Sequence, residues 1–87
     1  MQTLSESLEA IASAVEKNAD ASKVSEAVKT ARDLVKNSLS EPSLKELDHE
    51  LSIWQSRLSV ILNELAGKKG MAKHARFWAE RLRATHV

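Results

Sequence analysis

Glu46 and His49 have the spacing of a metal-binding pair. A glutamate followed three residues later by a histidine binds iron in di-iron carboxylate bundles, where two such pairs and two further glutamates point inward. This chain has one such pair. Asp48 and Glu50 lie beside it, and the four residues together are typical of a solvated acidic helix face. We therefore predict no metal site and no cofactor.

Other catalytic groups are sparse. The chain contains no cysteine, which excludes a thiol nucleophile, a disulfide framework and a zinc-thiolate site. His74 and His86 each stand alone, and residue order by itself does not argue for a Ser/His/Asp triad. Several serines lie three residues before a glutamate, where helix capping explains them. We therefore predict that the protein is not an enzyme.

Basic side chains are concentrated near the C-terminus. Residues 66–87 carry six Lys/Arg and one Glu, 6 − 1 = +5, whereas residues 1–65 carry seven Lys/Arg and eleven Asp/Glu, 7 − 11 = −4. One interpretation is a patch that binds an anion or nucleic acid. The other is that these cations complement the acidic remainder of the fold and a helix C-terminal dipole. The nucleic-acid interpretation uses Lys68, Lys69, Lys73, Arg76 and Arg83.

Length and composition favour one helical domain over residues 1–87. Eighty-seven residues can bury a single core, and two glycines, one proline and abundant Ala, Leu, Glu and Lys favour helix over sheet. The N-terminal segment lacks the basic and apolar regions of a signal peptide. No apolar run approaches the ~20 residues that span a bilayer. We expect a cytoplasmic protein with no membrane partner.

Two amphipathic helices are predicted in the first half of the chain. Thr3 and Glu6 form a capping box for a helix over about 4–18, and Asn18 tolerates the left-handed conformation at its end. The second helix, about 21–38, has a shallow apolar face rich in alanine. The apolar stripe of the first helix consists of Leu4, Leu8, Ile11 and Val15.

A longer helix is predicted over about 43–66. Its apolar residues alternate spacings of three and four, which is a heptad seam over three heptads. Ser43 begins a second capping box, and Pro42 belongs before or within the first turn. Gly67 is expected to end the helix, and Gly70 completes a short connection to a fourth helix over about 71–84. The seam consists of Leu44, Leu47, Leu51, Trp54, Leu58, Ile61 and Leu65.

The predicted fold is therefore all-α. Short connections between amphipathic helices imply antiparallel neighbours, so we expect an up-down bundle of four helices, about 4–18, 21–38, 43–66 and 71–84. The third helix is expected to be the longest. The fourth helix continues the heptad spacing with Met71, Ala75, Trp78 and Leu82.

Some apolar residues fall outside these seams and suggest an interface. With Leu44 at heptad position a, Ile53 and Val60 fall at c and Leu62 at e, and Phe77 falls at c of the fourth helix. Either helix 3 is flanked on two sides, or these residues form an exposed patch that binds a partner. We predict a homodimer through helices 3 and 4 and an unidentified protein partner, as in an adaptor, inhibitor or chaperone-like protein. The predicted interface is Ile53, Val60, Leu62 and Phe77 as anchors, with Arg57, Lys73 and Arg76 at the rim.

Overall fold

The chain forms five α-helices in a computed structural model that describes residues 3–37 and 42–85. The prediction of an all-helical protein is confirmed, and the predicted number of helices is corrected. The radius of gyration, 12.0 Å, is about that of a compact chain of this length. The helices are α1 (Leu4–Glu16), α2 (Ala21–Lys36), α3 (Pro42–Ser56), α4 (Leu58–Asn63) and α5 (Leu65–Thr85).

The predicted capping box begins α1. The Thr3 Oγ1 accepts a hydrogen bond from the Glu6 amide at 3.2 Å, and the Thr3 amide donates to Glu6 Oε1 at 3.3 Å. Because its carboxylate accepts hydrogen bonds from the Thr3 hydroxyl and amide, the pKa of Glu6 lies below its ordinary value. The helix ends at Glu16, two residues before the predicted end, and Asn18 adopts the predicted left-handed conformation with φ 57°.

The next two helices begin close to their predicted starts. The α2 helix ends at Lys36, and residue 38, its predicted end, lies outside the described residues, as does His86. Pro42 is the first residue of α3, a position where its missing amide costs no hydrogen bond. Ser43 therefore lies inside the first turn and is not the capping residue that the sequence predicted.

The predicted long helix over 43–66 is wrong. The α3 helix ends at Ser56, Arg57 leaves helical geometry at φ −116° and ψ 19°, and Glu64 is extended at φ −118° and ψ 133°. The heptad seam is buried from Leu44 to Leu58, but Leu65 is 69% exposed. A heptad pattern records which residues are apolar and does not require the helix axis to continue without a turn.

The longest helix is α5, with 21 residues, and not the third helix as predicted. It passes through both glycines that the sequence assigned to a connection. The chain turns at Glu64 instead, and the first turn of α5 then lies against the end of α4. A Cβ atom on Gly67 would lie 2.6 Å from the Ile61 carbonyl oxygen. Gly67 therefore permits close backbone approach, a role that composition alone does not distinguish from helix breaking.

The core lies between helices that pack pairwise against one another. The α1 helix packs against both α5 and α2, α2 packs against α3, and α4 packs against α5. Small side chains from α5 (Ala72, Ala75 and Ala79) join larger aliphatic residues of α1 and α3 in one apolar cluster. Among the helices that the structure describes, none is both long and apolar enough to cross a membrane.

Alanine substitutions at the two glycines of α5 should change the free energy of unfolding in opposite directions. Gly67→Ala should lower the free energy of unfolding by about 1–3 kcal/mol, because the new Cβ overlaps the Ile61 carbonyl. Gly70→Ala should raise it by about 0.5–1 kcal/mol, because no atom lies within 4 Å of the new Cβ and alanine favours helix. Urea unfolding followed by circular dichroism measures both. Equal effects of the two substitutions would contradict the assigned path of α5.

Ser7 gives a second prediction. Its side chain is buried, and its Oγ has no hydrogen-bond partner within the described part of the chain. Since an unpaired buried hydroxyl costs free energy, Ser7→Ala should raise the free energy of unfolding by about 1 kcal/mol. Ser13→Ala, a half-buried position on the same helix, controls for helix propensity and should gain only a few tenths. A loss of stability in the Ser7 variant would show that its hydroxyl is satisfied.

Candidate functional site

A groove runs between α3 and α5. It consists of two adjoining cavities of about 650 and 410 Å³, which share Glu46, Glu50 and His74. The buried residues Trp54, Met71 and Trp78 line its inner part. This α3–α5 groove, as we call it, therefore exposes the edge of the core between two helices.

Glu50 joins the two helices at the middle of the groove. Its Oε1 lies 2.7 Å from His74 Nδ1, and its Oε2 accepts a hydrogen bond from Trp78 Nε1 at 2.8 Å. A hydrogen bond to a carboxylate is stronger than one between neutral groups. The carboxylate therefore satisfies the indole N–H of a buried tryptophan and holds α3 against α5.

Trp78 is packed on two further sides. The Arg81 guanidinium carbon lies 5.3 Å from the centroid of the Trp78 ring, a distance suited to cation–π attraction. The Phe77 ring meets Trp78 edge-on, with centroids 6.1 Å apart and an interplanar angle of 77°. Trp78 lies on the core face, as predicted, whereas Phe77 is 57% exposed.

The two walls of the groove carry opposite charge. The α3 wall presents Glu46 and Glu50, and the α5 wall presents Lys73 and Arg81. Ile53, 41% exposed, lines the wider cavity beyond Glu50. The groove therefore combines an acidic wall, a basic wall and exposed apolar residues at both ends.

Four of the seven predicted interface residues line this groove: Ile53, Arg57, Lys73 and Phe77. The other three are placed differently. Val60 is 62% exposed on α4 and lines neither cavity of the groove, and Leu62 is partly buried against the core. Arg76 faces α1, where it pairs with Glu16. The break between α3 and α4 separates the Ile53 and Val60 that a continuous helix would have aligned.

Two arginines of α5 pair with carboxylates of α1. Arg76 binds Glu16, and Arg83 binds Glu9, one ion pair on each of two successive heptads. The order of these pairs shows that α1 and α5 are antiparallel. The hydrogen bond and the charge of Glu16 raise the pKa of Arg76 above its ordinary value. These two arginines therefore complement acidic residues of the fold, as the second interpretation of the C-terminal charge in the sequence predicts.

The remaining predicted basic residues, Lys68, Lys69 and Lys73, lie around another cavity of about 510 Å³, and Lys73 also lines the groove. This basic cavity lies between the C-terminal end of α1 and the first half of α5. Its lining includes the cations Lys68, Lys69, Lys73 and Arg76 and the apolar residues Val15, Leu65 and Ala72. The Lys68 Nζ donates a hydrogen bond to Asn18 Oδ1 at 3.0 Å, which ties the start of α5 to the turn after α1.

The pair Glu46 and His49 is exposed, as predicted. Asp48 instead binds Arg32 of α2, with 3.4 Å between Oδ1 and Nε. Within residues 3–37 and 42–85, no group of three or more His, Asp or Glu residues is arranged to hold a metal ion.

Sequence reasoning missed the structural role of Glu50 and Asp48. Both were interpreted as part of a solvated acidic face. In the heptad that places Leu44 at a, however, Asp48 lies at e and Glu50 lies at g. Residues at e and g flank the seam and face the neighbouring helices. Asp48 accordingly faces α2, and Glu50 faces α5. The heptad register therefore contained a signal for these contacts but did not name their partners.

The fold and its surfaces define a small all-helical protein with an amphipathic groove and a basic cavity. Comparisons with protein-family models, with curated proteins and with solved structures found no match for this chain. Its function is therefore inferred from the chemistry of these two surfaces.

Glu50 gives a prediction for the groove. Glu50→Ala should lower the free energy of unfolding by about 1–3 kcal/mol, because it leaves the buried Trp78 indole N–H without its acceptor. Glu46→Ala, one turn earlier on the same wall, is exposed and should change stability by less than about 0.5 kcal/mol. Urea unfolding measures both variants, and the indole N–H resonance of Trp78 should move only in the Glu50 variant. Equal stability of the two would refute the role given to Glu50.

Proposed function

We propose that this protein is a non-enzymatic interaction protein, an adaptor, inhibitor or chaperone-like molecule, that forms a homodimer through the α3–α5 groove. The observation that carries the proposal is the exposure of Phe77 and Ile53 at opposite ends of a groove lined by Trp54, Met71 and Trp78. Protein interfaces are enriched in aromatic residues, methionine and arginine at their centres. The same residue types line this groove.

The occupant that best fits the groove is a second copy of the chain. A two-fold dimer uses the same patch on both subunits, so the patch must be self-complementary. With the two-fold axis along the groove, the acidic α3 wall of each copy faces the basic α5 wall of the other. Glu46 and Glu50 then oppose Lys73 and Arg81. The net charge of +1 adds little overall repulsion between two copies.

Apolar contacts fit the same arrangement. In that orientation Ile53 lies over the part of the second copy's α5 that contains Gly67 and Gly70, where no side chain projects. Phe77 lies at the other end of the groove, against the opposing α3 wall. Burying an exposed aromatic and an exposed isoleucine in each copy supplies the apolar area that favours association.

Nucleic-acid binding has less support. Of its five proposed residues, Arg76 and Arg83 pair with carboxylates of α1. Neither aromatic residue of α5 lines the basic cavity, so bases bound at Lys68 and Lys69 would lack a stacking partner. The up-down topology of the bundle and a cytoplasmic location remain predictions.

The dimer gives the central test. Sedimentation at about 10 µM should yield the mass of two chains, and Ile53→Asp combined with Phe77→Ser should yield the mass of one with unchanged helix content, because both anchors of the groove are lost. Leu65→Ser is the matched control, since Leu65 is also an exposed apolar residue but lines the basic cavity. That control should keep the mass of two chains. A one-chain mass for the unmodified protein, or a two-chain mass for the double variant, would refute the proposal.

A further inference from the structure

The basic cavity combines apolar and cationic walls. Four of its lining residues are positive and Glu16 is negative, 4 − 1 = +3. Val15 and Ala72 are buried at its inner side. We infer that this cavity binds a small amphiphilic carboxylate, a molecule that carries one carboxylate on an apolar chain. The inference does not rest on the dimer, because Lys73 is the one residue that lines both the basic cavity and the groove, and the cavity is otherwise lined by α1, the turn after it and other residues of α5.

Two of the cations are available to an anion. Arg76 is engaged by Glu16, and Lys68 is held by Asn18. Lys69 and Lys73 are exposed and make no ion pair or hydrogen bond within the described residues. They lie one helical turn apart on the same face, where like charges repel. A carboxylate bound between them offsets that repulsion and is the natural head group for the site.

The apolar part of the ligand has its own place. Leu65 belongs to the heptad seam by sequence, yet it is 69% exposed at the wall of this cavity. An alkyl chain in the cavity would cover Leu65 and lie against Val15 and Ala72. The volume, about 510 Å³, is within the ~300–1,000 Å³ of ordinary small-molecule sites.

A polyanion fits this cavity less well than a monocarboxylate. Two of the cavity's four cations are already engaged, Arg76 by Glu16 and Lys68 by Asn18, so two remain for added negative charge. A phosphodiester chain has no alkyl group to cover Leu65. A single charge at Lys69 and Lys73, followed by an apolar chain toward Leu65, satisfies both parts of the site.

Octanoate tests the inference on the full chain. Calorimetric titration in about 50 mM salt, below the micelle concentration, should show saturable one-to-one binding, with amide NMR shifts confined to the cavity lining. Because Lys73 also lines the groove, the charge test uses the Ile53→Asp, Phe77→Ser background, where the groove contact is already removed. In that background Lys69→Gln with Lys73→Gln should weaken octanoate binding by about tenfold or more. Lys23→Gln with Lys29→Gln removes the same charge from exposed positions of α2 and should bind like the unmodified protein. Leu65→Ser should also weaken octanoate binding, because it removes the apolar wall.

Three results would overturn the inference. Either octanoate binding does not saturate, or acetate binds as tightly as octanoate, or the α2 control variant loses as much affinity for octanoate as the lysine variant of the cavity. A single-stranded oligonucleotide that binds through Lys69 and Lys73 while octanoate does not would assign the cavity to nucleic acid instead. Ile53→Asp with Phe77→Ser should bind octanoate normally. The dimer and the carboxylate site can therefore fail independently.

Discussion

The close approach of Gly67 to the Ile61 carbonyl sets the course of the longest helix. The extended conformation of Glu64 turns the chain, and α5 can begin there because no Cβ on Gly67 meets the end of α4. From this start α5 runs antiparallel to α1, and its side chains reach both α1 and α3. The same turn removes Leu65 from the seam and places it at the basic cavity. Both candidate surfaces therefore depend on one backbone contact.

Charged residues form ion pairs between neighbouring helices at a few positions. Acidic residues of α1 meet arginines of α5, and Asp48 of α3 meets Arg32 of α2. These pairs are exposed or half-exposed, so each adds little to stability, but together they favour one helix order over others. The pairing also divides the basic residues of α5. Arg76 and Arg83 complement α1, and Lys69 and Lys73 remain at the surface of the basic cavity.

Glu50 connects the core to the surface. Its carboxylate satisfies the indole of a buried tryptophan and also contacts the exposed ring of His74. Since Trp78 in turn contacts Phe77 and Arg81, the position of the exposed aromatic depends on a polar contact between α3 and α5. The groove proposed to hold a second copy is thus supported from beneath by this carboxylate. The basic cavity, on the α1 side of α5, has separate support from Asn18 and Glu16.

The sequence by itself determined the helical class, the starts of the first three helices and most of the core. Capping groups, left-handed Asn18 and the periodic apolar residues act within a few residues of one another, so their effects can be predicted locally. The seam from Leu44 to Leu58 and the burial of Met71, Ala75, Trp78 and Leu82 follow from the same periodicity. Only the tertiary structure decided where the chain turns, because a glycine that breaks a helix and one that permits backbone contact have the same local signature. The partners of Glu50, Asp48 and Arg76 were likewise decided by helix order, because each partner lies between 16 and 60 positions away in the sequence.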